Sequence, residues 1–188
     1  ASMTQTVSKS DSFVYSSSSK NYSAVASSNG SANYILQDAE KASELVASLK
    51  LPKTPTIRVL FDSDNPAAIA EWTLLSDHAA SSGLRLSNVS NPDPSIKLAT
   101  GEYEVYLGPL PLLGVGTGSV QSLANGPAKM PSSTFEALTK DVFTATDKNL
   151  GSVLQALDKQ LFDLGYGLPM YQLPTLLVYN NRIHEALE

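Results

Sequence analysis

A chain of 188 residues, 42% hydrophobic and 16% charged, can bury a real core and has an ordinary globular balance. Its net charge of -5, with 13 Lys and Arg against 18 Asp and Glu, argues against binding a nucleic-acid backbone. Cysteine is absent, which removes disulfides, thiolate catalysis and cysteine-held zinc together, and no apolar run approaches the roughly 20 residues of a membrane span.

Residues 1–37 are rich in Ser, Asn and Ala and poor in large aliphatics. Such a composition cannot bury enough surface to fold alone, which gives a Ser-rich leader as one reading. Phe13, Val14, Tyr15, Tyr22 and Tyr34 interrupt it and favour a segment lying along the domain.

An α/β domain is expected over residues 38–186. Asp38 is placed to cap a helix in which Ala39, Ala42, Leu45, Val46 and Leu49 recur at helical spacing, stopped by Pro52 and Pro55. Residues 56–61 are β-branched and apolar, a strand. Asn65 as cap and Pro66 at the first helical position open a second helix. Its apolar stripe is Ile69, Trp72, Leu75 and Ala79, and Gly83 ends it. Residues 84–89 read as a weak or edge strand, 95–100 as one helical turn and 103–107 as a third strand.

Residues 108–127 read as a long loop rich in Gly and Pro. Ser133 with Glu136 forms a capping box that opens a helix with Phe135, Leu138, Val142 and Phe143. Asp147 or Asn149 caps another helix, with Val153, Leu154, Leu157, Leu161 and Phe162 inward, ended by Gly165 and Gly167. Two short apolar segments, 168–171 and 175–179, follow, split by Pro174. Helices between strands predict an α/β fold, a mixed and mostly parallel sheet flanked by helices, with at least one parallel crossover. Ala1-Ser2 and Leu187-Glu188 match dipeptides encoded at cloning junctions, so an excised piece of a longer protein is expected.

No catalytic constellation stands out. Gly114-Val115-Gly116-Thr117-Gly118-Ser119 lacks the Lys-Ser/Thr pair and the dinucleotide spacing of phosphate loops and reads as a mobile loop. His78 and His184 are the only histidines, and His78 has no second metal ligand at helical spacing. No serine sits in a Gly-x-Ser-x-Gly elbow. Asp62 and Asp64 fall at the carboxyl end of a strand, where open sheets bind ligands, although turn and capping chemistry is the plainer role. The expectation is a protein that is not an enzyme and has no cofactor and no metal site.

Five stretches carry a resemblance. Tyr34 to Ala42 resembles a Y-x-x-x-D-x-x-K-A lead into a helix, and Asp64-Asn65-Pro66 a D-N-P helix start. Gly83 to Val89 resembles an A-G-F-x-V strand, and Gly101-Glu102-Tyr103-Glu104-Val105 a G-x-Y-D-A strand. Leu168-Pro169-Met170-Tyr171-Gln172-Leu173-Pro174 resembles V-P-I-Y-Q-x-P. In this order and spacing the chain resembles the family 5 extracellular solute-binding proteins, the oligopeptide- and dipeptide-binding components of ABC transporters, in their actinobacterial branch.

The resemblance implies the C-terminal lobe of a two-lobed protein, with the periplasmic-binding type II fold and residues 1–37 crossing between lobes. Ligand contacts would map to Leu107, Gly108, Pro109 and Leu110. Implied partners are the missing N-terminal lobe, a small solute or peptide, and an ABC transporter permease. The implied location is extracytoplasmic, held to the envelope by a lipid anchor on the parent. Gly108-Pro109 stands where peptide binders often carry Gly-Trp, and residues 129–135 lack their Asn-rich stretch. These departures favour an alternative: a regulatory or interaction module on the same fold, acting with proteins of cell-envelope glycolipid synthesis. Its docking patch would be Leu110, Leu112, Leu113 and Val115.

Overall fold

The computed structural model describes residues 8–34, 38–110, 117–124, 126–127 and 131–172. It opens with a two-residue strand, β1 (Ser8–Lys9), then helix α1 (Tyr22–Ala26) and a 3-10 turn (Ser31–Tyr34). The serine-rich composition around these elements does not leave them bare. Phe13, Val14, Tyr15 and Val25 are buried, and the segment borrows its hydrophobic partners from helices far along the chain.

Helix α2 (Ala39–Ser48) begins where expected, its cap carboxylate on Asp38 accepting the Lys41 N–H at 2.9 Å. Its apolar stripe does not enter a core: Leu45 and Leu49 remain 59% and 63% exposed. Strand β2 (Thr56–Phe61) leads into α3 (Pro66–Ser81), where Asn65 Oδ1 accepts the Ala67 N–H at 3.0 Å and Pro66 supplies a preset φ. Strand β3 (Arg85–Asn88), α4 (Ser95–Thr100) and β4 (Val105–Leu107) follow.

The face that α3 turns inward differs from the predicted stripe. Ala68 and Ala79 are buried and Trp72 half-buried, while Ile69 and Leu75 are exposed. Ala68 is small enough to let the helix settle on Val59 and Phe61, with Trp72 stacked on the Phe61 ring at 5.7 Å. A larger residue at the closest approach would hold the helix off the sheet.

The fold is α/β. The main sheet has the order β3-β2-β4, and β2 pairs in parallel with both neighbours. The register sets Val59 opposite Asn88 and Val105, and Phe61 opposite Leu107. The third strand is shorter than predicted, because Tyr103 and Glu104 precede the ladder. Glu104 instead meets Arg58 in a forked ion pair at 2.6 Å, which holds its carboxyl below the ordinary range.

Residues 117–124 were expected within a loop but form helix α5 (Thr117–Ala124). Val120 and Leu123, three apart, enter the core and repay the ordering of a glycine-flanked stretch. Helix α6 (Ser132–Thr144) starts one residue before the predicted capping box, behind Pro131 and with no side-chain cap. Helix α7 (Leu150–Asp163) starts after Asn149, whose Oδ1 turns back to accept the Thr146 N–H at 2.7 Å. Gly165, at φ +64°, takes the left-handed conformation that closes such a helix.

Leu154, Leu157, Leu161 and Phe162 of α7 form the second core, with Val120, Leu123, Val142 and the buried residues of the opening segment. Phe143 of α6, predicted on the apolar side, is exposed. A last strand, β5 (Tyr171–Gln172), pairs antiparallel with β1. Pro174 and the segment 175–179 lie outside the described residues.

Candidate functional site

The carboxyl end of the parallel sheet is where the candidate residues 107–110 and Asp62 lie. Strands β3 and β4 flank β2 on opposite sides, so the connections leaving β2 and β4 diverge at this end, the place where open α/β sheets form their binding crevice. Its floor follows from the register. Leu60 lies opposite Tyr106, on the face away from α3, and strand alternation puts Asp62 on that same face.

Tyr106 is half-buried there, its ring 6.4 Å from that of Tyr103. Burial pushes its phenol up, and the Asp62 charge adds to the shift. Gly108 makes this geometry possible: a Cβ at that position would fall 2.3 Å from the Tyr106 Cζ and hydroxyl. The ring thus folds back over a residue with no side chain.

The four residues placed in the site by resemblance are adjacent but differ in environment. Leu107 packs on the Val59–Phe61–Ala68 cluster. Leu110 packs on the helical core. Gly108 and Pro109 are exposed between them. The stretch therefore joins the two cores, with its polar backbone uncovered at the crevice. Tyr103 donates from its hydroxyl to the Pro127 carbonyl at 2.5 Å, and Tyr166 to the Leu123 carbonyl at 3.2 Å. Leu110 and the Tyr166 hydroxyl close on Gly126, where a Cβ would meet them at 3.1 and 2.9 Å. The sequence patterns carried no signal for this Tyr166–Gly126–Leu110 contact, because its members are brought together only by α5 and α7.

The carboxylates at the crevice do turn chemistry. Asp62 Oδ1 accepts the Asp64 N–H at 2.8 Å, and Asn91 joins the loop through its backbone to Ser63 and Phe61. Asp93 accepts the Ser95 N–H, and hydrogen bonds from Ser95 hold its carboxyl below the usual range. His78 is exposed near the end of α3. Among the described residues no cluster of His, Asp or Glu could hold a metal ion. His184 and Gly114-Val115-Gly116 lie outside the described residues, and Thr117 begins α5.

Two open surface hollows lie elsewhere. One is bordered by Ala39, Ser43, Glu44 and Ser81, the other by Leu138, Asp141, Val153 and Gln160. Neither reaches residues 107–110, and both are shallow gaps between neighbouring helices. No described helix is long and apolar enough to cross a membrane. Comparison with protein-family models and with curated proteins gives no match to this chain.

Proposed function

We propose that the chain is the C-terminal lobe of an extracytoplasmic solute-binding lipoprotein, built on the periplasmic-binding type II plan, that captures a peptide-like or other small solute for an ABC importer. The observation that carries this reading is the position of Leu107-Gly108-Pro109-Leu110 at the carboxyl edge of the parallel sheet, beside the point where its strand order reverses. Open α/β sheets bind small molecules there. The Tyr106 ring over Gly108 offers an amphipathic wall, apolar in body and polar at the tip. The pairing of β1 with β5 is also in keeping with two lobes, since it sets the strands entering and leaving the lobe side by side. The lobe is read as non-catalytic, with no cofactor, and as held to the envelope through its parent.

The test is calorimetric titration of the two-lobed protein with a defined pool of short peptides. Gly108→Ala forces Tyr106 out of its place and is expected to weaken binding by about tenfold or more. Unchanged affinity in that variant would remove residues 107–110 from the binding site.

A second reading keeps the fold and drops transport: a regulatory module that docks on envelope-synthesis proteins. The observation in its favour is the exposed apolar side chains on and just after α2 and on α3, namely Leu45, Leu49, Ile69 and Leu74. Of the docking patch expected from sequence, Leu110 is half-buried, and Leu112, Leu113 and Val115 lie outside the described residues.

A further inference from the structure

The chain leaves β5 pinned on two sides. The Tyr171 hydroxyl donates to the Glu71 carboxylate on α3. The next side chain, Gln172, accepts from the Ser17 N–H at 2.9 Å and from the Ser17 hydroxyl at 2.8 Å. Consecutive anchors on α3 and on the opening segment therefore fix the point from which residue 173 departs, beside the flank of α3 that carries Glu71. Leu74 and Leu75 follow Glu71 by three and four residues and share that flank, one turn along the helix. Leu74 is 61% exposed and Leu75 36% exposed. The inward side of α3 is already taken by Ala68 and Trp72, which meet the sheet.

Residues 173–188 lie outside the described residues, and the first of them have the chemistry to cover this flank. Leu173, Leu176, Leu177, Val178 and Tyr179 are large and apolar, and no charged residue stands between Gln172 and Arg182. Pro174 offers no N–H for prolonging the β1–β5 ladder. Reach is sufficient: residues 173–179 extend to at most roughly 25 Å, whereas α3 rises only about 10 Å from Glu71 to His78.

We propose that residues 175–179 dock on this flank of α3, over Leu74 and Leu75. Burial of apolar surface drives the contact, and the short tether through Leu173 and Pro174 favours this occupant over any other. Such a tether holds the run at an effective concentration on the order of millimolar. A second copy of the chain or a foreign protein must reach that level to compete. Of the four exposed side chains that favour docking on another protein, Leu74 is then withdrawn, and Leu45, Leu49 and Ile69 remain. The assignment rests on neither functional reading.

The experiment is paramagnetic NMR on the full chain. Cysteine is absent, so a single introduced thiol carries the spin label without interference. His78→Cys places it at an exposed position four residues past Leu74, on the same flank. The expected result is severalfold loss of amide signal at residues 175–179 relative to the reduced label, independent of protein concentration. Methyl contacts from Leu74 or Leu75 to the same residues should accompany it in the unlabelled chain. Leu74→Gln, a change at an exposed position that leaves the fold intact, should cut the signal loss severalfold. Undiminished signals at 175–179, or a loss that Leu74→Gln does not reduce, would overturn the assignment. A loss that grows with protein concentration would also overturn it and give the flank to a second copy.

Discussion

Tyr106 and Gly108 show how one missing side chain shapes the crevice. The ring occupies the space that a Cβ at Gly108 would need, and Asp62 lies close enough to disfavour the phenolate. Removing that charge has a definite sign. Asp62→Asn should lower the Tyr106 titration midpoint toward the ordinary tyrosine value, as read by NMR of the labelled ring carbon. No change would mean that burial, with Tyr103 beside it, sets the group. The same substitution keeps an acceptor for the Asp64 N–H, so the turn into α3 should survive.

At the scale of elements, α7 and α2 are opposites that look alike in sequence. Both carry leucines at helical spacing, yet Leu154 of α7 is wholly buried and Leu45 of α2 is mostly exposed. Leu154→Ala should cost about 2–5 kcal/mol in a urea unfolding series. Leu45→Gln should stay within about 0.5 kcal/mol, being a surface change without a buried partner. Comparable losses at both sites would show that α2 is covered in solution. Local signals served well where the chemistry was local: Asp38 caps α2, and Asn65 with Pro66 opens α3. They failed where long-range packing decides. Helix α5 was hidden by the glycines before it, and it exists because Val120 and Leu123 find partners on other elements. The inward face of α3 was misjudged because Ala68, not the larger Ile69, is what close contact with the sheet requires. The candidate residues 107–110 were proposed through resemblance, while the Tyr106 ring over Gly108 is a three-dimensional fact with no periodic trace.

For the whole molecule, two cores share one chain: a small parallel sheet backed by α3, and a helical cluster roofed by the opening segment. The connection between them runs through residues 107–110, and Tyr171 of β5 donates to the Glu71 carboxylate on α3, a second tie between the parts. A ligand pressing on Gly108 would thus bear on both cores. On the solute-capture proposal the chain is half of a cleft, which would bind weakly without the contacts and preorganisation of the other half. The decisive measurement is therefore native mass spectrometry of the two-lobed parent that the proposal implies, purified without added ligand and then denatured. The solute-capture account predicts a bound mass that is released on denaturation and identified as a peptide or other small molecule. A clean unliganded mass, with no shift when a peptide pool is added, would contradict it.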